Sequence, residues 1–114
     1  MTVTETFFGV GVVDMRRATA FYVDALGATV AFASPNWSSL RIAGVRLGLN
    51  LDPEHAPSRI GLHFVVSDLA AARDDVERAG GRIVAATIEV APGVVVADVT
   101  DTEANTFTLS QGRG

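Results

Sequence analysis

The feature that most constrains this chain is an internal repeat. Asp14 and Asp68 lie 54 residues apart, and at that offset Val12, Ala18, Ala25, Gly27, Val30 and Ala31 fall on Val66, Ala72, Ala79, Gly81, Val84 and Ala85. Alanine and valine matches mean little by themselves in a chain that is 48% hydrophobic. The order of hydrophobic periods beneath them means more. A repeat of this length is one supersecondary unit that cannot bury its apolar face alone, and pairing two such units supplies a core.

Each half begins with a period-two run, Phe8, Val10 and Val12 in the first and Leu62, Phe64 and Val66 in the second. Alternation places each set on one face of a strand. An aspartate follows, Asp14 or Asp68, whose short carboxylate suits the N-cap of a helix. The period then becomes helical, with the stripes Met15, Ala18, Tyr22, Ala25 and Leu69, Ala72, Val76, Ala79. Glycine closes each helix, Gly27 in one half and Gly80-Gly81 in the other, as a left-handed C-cap prefers. Three further strands are predicted per half: 28–33, 37–43 and 45–51, then 82–90, 93–99 and 106–110. Ala43-Gly44 and the run from Asp101 to Asn105 read as the turns before each half's last strand.

The expected fold class is therefore α+β: two tandem βαβββ units forming curved mixed sheets around a cleft. We expect one domain over 1–114, with unit 1 about 1–52, a linker at 53–59 holding Pro53 and Pro57, and unit 2 about 60–112.

Composition excludes several functions. The formal net charge is -4, and the arginines are scattered rather than gathered on one face, so no nucleic-acid partner is expected. There is no cysteine, which removes disulfides, thiolate metal sites and cysteine nucleophiles. The start, Met-Thr-Val-Thr-Glu-Thr, has no basic residue and no apolar run of signal-peptide length, and no stretch approaches a membrane span. A cytoplasmic location and no membrane partner are the expectations.

Three local phrases carry a family resemblance. Val13-Asp14-Met15 followed by Ala20-Phe21-Tyr22 and Ala25-Leu26-Gly27, then the stretch from Leu62 to Leu69, then Thr100-Asp101-Thr102-Glu103-Ala104-Asn105, resemble the vicinal oxygen chelate superfamily in order and spacing. This group holds the glyoxalases, bleomycin-resistance proteins and extradiol dioxygenases. The resemblance implies a cleft between two sheets and, in relatives of this size, a homodimer. Some members hold a divalent ion with histidine, glutamate or glutamine; others use the cleft to hold a drug without metal.

In metal-dependent members the ligands sit seven residues before each capping aspartate and near the middle of each unit's last strand. Here those positions are Phe7, Gly61, Gly48 (Asn50 if the register slips by two) and Thr108. Phenylalanine and glycine offer no side-chain lone pair, and amide or hydroxyl oxygens are weak ligands beside imidazole or carboxylate. No metal site and no cofactor are expected.

Strand parity places a ligand-binding set on the cleft-facing side: Phe7, Gly9, Trp37, Arg41, Gly48, Asn50, Gly61, His63 and Thr108. Gly11 shares Phe7's parity, and Ser39 is a further hydrogen-bonding candidate. Glycines at Gly9, Gly11, Gly48 and Gly61 have two readings, close backbone approach or room left for a bulky ligand. Phe7 and Trp37 can wall an apolar or conjugated ligand, although Trp37 also suits a core or dimer contact. Arg41 can pair with an anion or stand solvated. His63 is either a ligand contact and catalytic acid or base, or a histidine hydrogen-bonded within the fold. His55, flanked by prolines, reads as a solvated loop residue. Asp98 and Asp101 read as strand-edge and turn residues.

The function expected is a metal-free small-molecule-binding protein holding an apolar or aromatic organic ligand, an antibiotic among the possibilities. The alternative is a lyase, isomerase or dioxygenase-like enzyme using His63 as acid or base, or an atypical divalent metal site.

Overall fold

The pleat of a strand and the pitch of a helix sort this chain's side chains before any long-range contact is made, and the computed structural model follows that sorting across residues 1–112, the residues it describes. The chain divides between His55 and Ala56 into two units.

The first unit runs β1 (Phe8–Val12), α1 (Met15–Leu26), β2 (Thr29–Ala33), β3 (Trp37–Ile42) and β4 (Val45–Leu51). Its sheet has the order β1-β4-β3-β2, with β1 parallel to β4 and the other pairs antiparallel. The helix packs on one face only, against β3 and β4. Val10, Val12, Leu40, Ile42, Leu47 and Leu49 are buried there, together with Met15, Ala18, Phe21 and Tyr22 of the helix. Phe21 and Tyr22 meet edge to face at 5.2 Å. Phe8 shares the face of Val10 and Val12, opposite Leu47, but is 45% exposed at the strand's start.

Both ends of α1 are set by the residues the sequence nominates. Asp14, in extended conformation, accepts a hydrogen bond from Arg17 N at 3.0 Å, and Gly27 turns left-handed at φ 67°. The β3–β4 turn takes positive φ at both Ala43 and Gly44 (48° and 82°), the twist a two-residue hairpin favours.

The second unit runs β5 (Arg59–Val65), α2 (Leu69–Arg78), β6 (Arg82–Ile83), β7 (Ile88–Ala91), β8 (Val94–Thr100) and β9 (Thr106–Gln111). Its strand order is β5-β9-β8-β6, and β7 also pairs with β8. The core gathers Leu62, Leu69, Val76, Ala97, Val99, Phe107 and Leu109. Asp68 caps α2 by accepting from Ala71 N at 3.0 Å, and Gly80 leaves the helix at φ 99°.

The strand predicted over 82–90 is two short strands, not one. Ile83 pairs with Val99 and Ile88 with Val96, so the four residues between them on the edge oppose two on β8. The surplus is taken up where the amides of Val84 and Ala85 converge on the Asp98 carbonyl, at 2.9 and 3.4 Å. That is a bulge. The four apolar residues from Ile83 to Ala86, where it falls, show no period that could reveal it.

The β8–β9 turn is organised by a buried carboxylate. Asp101 accepts from Glu103 N (2.7 Å), Asn105 N (2.9 Å) and Asn105 Nδ2 (3.0 Å), while Asn105 is itself fully buried. These bonds satisfy groups that would otherwise be costly to bury.

The paired caps give a direct test. Asp68→Ala should lower unfolding free energy by about 1 kcal/mol while Asp68→Asn largely preserves it, measured by chemical denaturation. Equal losses in both variants would mean that the carboxylate does not act as a cap.

Candidate functional site

Because α1 covers one face of the first sheet, the opposite face is assembled from the alternate residues of β1, β4 and β3. Register fixes three rows across it. Gly11, Asn50 and Trp37 form one, Gly9, Gly48 and Ser39 the next, and Arg46 with Arg41 the last. The predicted residues Gly9, Trp37, Arg41, Gly48 and Asn50 therefore share one surface, and Phe7 joins them from the residue before β1.

The aromatic pair is in contact. Phe7 and Trp37 stand edge to face at 5.7 Å and 83°. The Trp37 ring lies across Gly48, so that a Cβ at Gly48 would meet Trp37 Cζ2 at 2.5 Å and Phe7 Cε2 at 3.0 Å. Gly48 thus serves close approach by the chain's own rings. Gly11 behaves alike: a Cβ there would meet His55 Nδ1 at 2.5 Å, which places the imidazole of His55 on this face rather than in a solvated loop. Gly9 differs, with nothing within 4 Å of a Cβ position.

Arg46, which the sequence reading did not single out, ties the surface together. Its guanidinium lies 4.6 Å from the centre of the Phe7 ring, its Nε donates to Ser39 Oγ at 2.9 Å, and it forms an ion pair with Glu5. Strand parity with Gly48 and Asn50 was the available signal.

The second unit presents a polar row instead. His63, Thr108 and Asp98 are register neighbours on β5, β9 and β8. Thr108 Oγ1 donates to Asp98 Oδ1 at 2.8 Å, and Arg59 donates to Asp98 Oδ2 at 2.7 Å. His63 Nε2 lies 2.9 Å from Ser110 Oγ. Gly61 sits where the β5–β9 register shifts and is open, with nothing within 4 Å of a Cβ position. Asp98, read as a strand-edge residue, is the hub of this row. Its pairing with Arg59, 39 residues away, has no local signature.

Hydrogen bonds from Arg59 and then Thr108 hold the Asp98 carboxyl below its ordinary range, against an opposing effect of burial. The charges of Arg59 and His63 add in the same direction.

The donor chemistry does not suit a divalent ion at the superfamily's ligand positions. Phe7, Gly48 and Gly61 offer no donor atom, Asn50 offers only an amide, and the Thr108 hydroxyl already donates to Asp98. Among the described residues no three or more histidine, aspartate or glutamate side chains cluster to hold a metal. Nor is any helix long and apolar enough to cross a membrane.

A larger concavity in the first unit, of about 890 Å³, lies between α1 and the β2–β3 connection, lined by Met15, Ala20, Val23, Pro35 and Leu51 among others. None of the predicted site residues lines it. Of its polar side chains, Thr19 pairs with Ser38 (3.3 Å) and Ser34 donates to the Trp37 carbonyl (2.8 Å), while Arg16 and Asp24 also line it.

Two outcomes check this geometry. Gly48→Ala should displace the Trp37 ring, shifting its emission and lowering the melting temperature by a few degrees, as overpacking does; an unchanged spectrum would refute the close approach. The Asp98 carboxylate should contribute stability that is full above the unfolded-state pKa of about 4 and lost as pH falls through the lower native value. Exposure of the Arg59 partner keeps that contribution small. The melting-temperature advantage of the native chain over Asp98→Asn should therefore shrink between roughly pH 6 and pH 2. A pH-independent difference would count against the pairing.

Comparisons with known proteins agree with this architecture. A family model described as a glyoxalase-like domain matches residues 7–110. Among solved structures, a hypothetical protein from S. aureus is similar with a TM-score of 0.80 and 18% identity, over 98% of this chain and 96% of that one. A glyoxalase/bleomycin resistance protein/dioxygenase family enzyme from Burkholderia phytofirmans PsJN gives 0.77 and 20% over 92% and 95%. A mutant of the fosfomycin resistance protein FosX from Listeria monocytogenes, complexed with Mn(II) and 1S,2S-dihydroxypropylphosphonic acid, gives 0.81 and 16% over 99% and 93%. A search of curated proteins finds no match. At these identities the structural likeness shows the fold.

Proposed function

We propose a binding function for this chain, which belongs to the glyoxalase-like domain family: it holds a small, flat, largely apolar organic molecule on the exposed face of the first unit's sheet, without a metal ion. The observation that carries this reading is an aromatic wall standing beside an open floor. Phe7 and Trp37 meet edge to face, and Gly9, the register neighbour of Gly48, leaves the adjoining surface bare.

The pieces act together physically. Trp37 is half-buried and braced by Phe7, which lies under the Arg46 guanidinium, so the indole is held before a ligand arrives. A ring held in place loses little freedom on binding, and a conjugated ligand stacking on it gains contact over its whole face. Asn50, beside Trp37 in register and exposed, adds polar atoms at the edge. The metal-free part of the reading rests on the donor chemistry at Phe7, Gly48, Gly61 and Thr108. Sequestering an antibiotic that carries flat conjugated rings is one role for such a surface.

The larger apolar concavity beside α1 is the weaker site. It presents no aromatic ring, and Thr19, Ser34 and Ser38 are occupied within the fold. A flat conjugated ligand gains most where an aromatic face is available to stack on.

Trp37 is the chain's sole tryptophan, so its emission reports on this face alone. Titration with a panel of bicyclic aromatic compounds should give saturable quenching for at least one. Gly9→Leu should weaken that binding roughly tenfold while barely changing the melting temperature, since the added side chain enters open space. The reading fails if no compound quenches, or if Gly9→Leu binds as tightly as the native chain.

A further inference from the structure

The last row of the same face carries a charge arrangement that sheet packing alone does not explain. Arg41 on β3 and Arg46 on β4 are direct register partners in an antiparallel pair, and both side chains project on the face of Trp37 and Gly48. Like charges directly opposite one another in a sheet are destabilising. Glu5 neutralises Arg46, whose guanidinium is further engaged by Ser39 and Phe7. Arg41 is exposed, and its guanidinium makes no ion pair or hydrogen bond among the described residues. The two arginines also border a concavity of about 330 Å³ together with Glu5, Thr6, Phe8 and Val45.

We infer that this row is an anion subsite, and that the ligand of the aromatic face is a flat aromatic carboxylate whose ring lies over Gly9 beside Trp37 and whose carboxylate is taken by Arg41 and Arg46. The inference rests on the binding reading given above. Three observations support it. A carboxylate already sits on Arg46, that of Glu5, from the segment ahead of β1 that has no regular structure. Guanidinium matches a planar carboxylate through parallel hydrogen bonds, and arginine at both positions keeps that option whatever the pH. The arginine row also adjoins the row of Gly9, one pleat repeat or about 7 Å along the strands, with Arg46 one strand across from β1 and Arg41 two. The Arg46 guanidinium already lies over Phe7, two residues before Gly9 on the same face, and so within reach of the edge of a ring placed there.

The chemistry also assigns Glu5 a part. Its carboxylate competes with the ligand for Arg46, so binding an aromatic acid transfers Arg46 from an internal partner to the ligand. Removing the competitor should strengthen binding of acids and leave neutral compounds unaffected.

A matched pair of probes tests this, naphthoate and its neutral amide, each titrated against Trp37 emission in the full chain. The acid should bind about tenfold more tightly than the amide at low salt, as expected for a charge-assisted pair at a partly exposed site. Added salt should erode the difference. Arg41→Gln should abolish the preference, Arg41→Lys should keep part of it, and Glu5→Gln should tighten the acid about threefold. Equal binding of acid and amide would overturn the anion subsite while leaving the aromatic face intact. A preference that survives in Arg41→Gln would overturn the role of Arg41. If neither probe quenches Trp37, the binding reading falls and the subsite falls with it.

Discussion

Each unit has one helix and one sheet, and a sheet has two faces. In the first unit α1 covers the face formed by Val10, Val12, Leu40, Ile42, Leu47 and Leu49, so the hydrophobic requirement of the fold is met on that side alone. The other face is released from core packing. Glycines, a tryptophan, a histidine and two arginines can stand side by side there because none of them is needed to hold the sheet to its helix. A residue on one face of a strand is followed by one on the other, so core and candidate site are interleaved along the same few strands.

Glycine has two different uses on the released face. At Gly48 and Gly11 the missing side chain is replaced by a ring from elsewhere in the unit, Trp37 in one case and His55 in the other. At Gly9 nothing replaces it. The first kind builds a rigid wall out of otherwise mobile side chains, and the second leaves the floor beside it. Both kinds look identical in the sequence, because a glycine carries no record of what approaches it.

The charges divide in a similar way. The carboxylates of Asp14, Asp68 and Asp101 accept bonds from the backbone within a few residues, and their work is local. Asp98 and Arg46 make contacts that only a formed sheet can bring about, the first with Arg59 and Thr108, the second with Phe7, Ser39 and Glu5. The superfamily resemblance read in the strand–helix phrases around Asp14 and Asp68 agrees with the glyoxalase-like family match over residues 7–110. The features that resemblance cannot supply are these long-range pairings.

Sequence by itself determined the two-unit plan, the caps at Asp14, Asp68 and Gly27, the turns at Ala43-Gly44 and Asp101–Asn105, and the common side of Trp37 with Arg41 on β3 and of Gly48 with Asn50 on β4. All of these follow from periodicity and from bonds spanning a few residues, which a linear pattern records. The tertiary structure decided the rest: the bulge that splits the strand predicted over 82–90, the seating of Trp37 on Gly48 and of His55 on Gly11, and the ties of Arg46 and Asp98. These depend on which strands become neighbours and in what register. Strand neighbourhood is set by burying one face of each whole sheet at once, a property of no single segment.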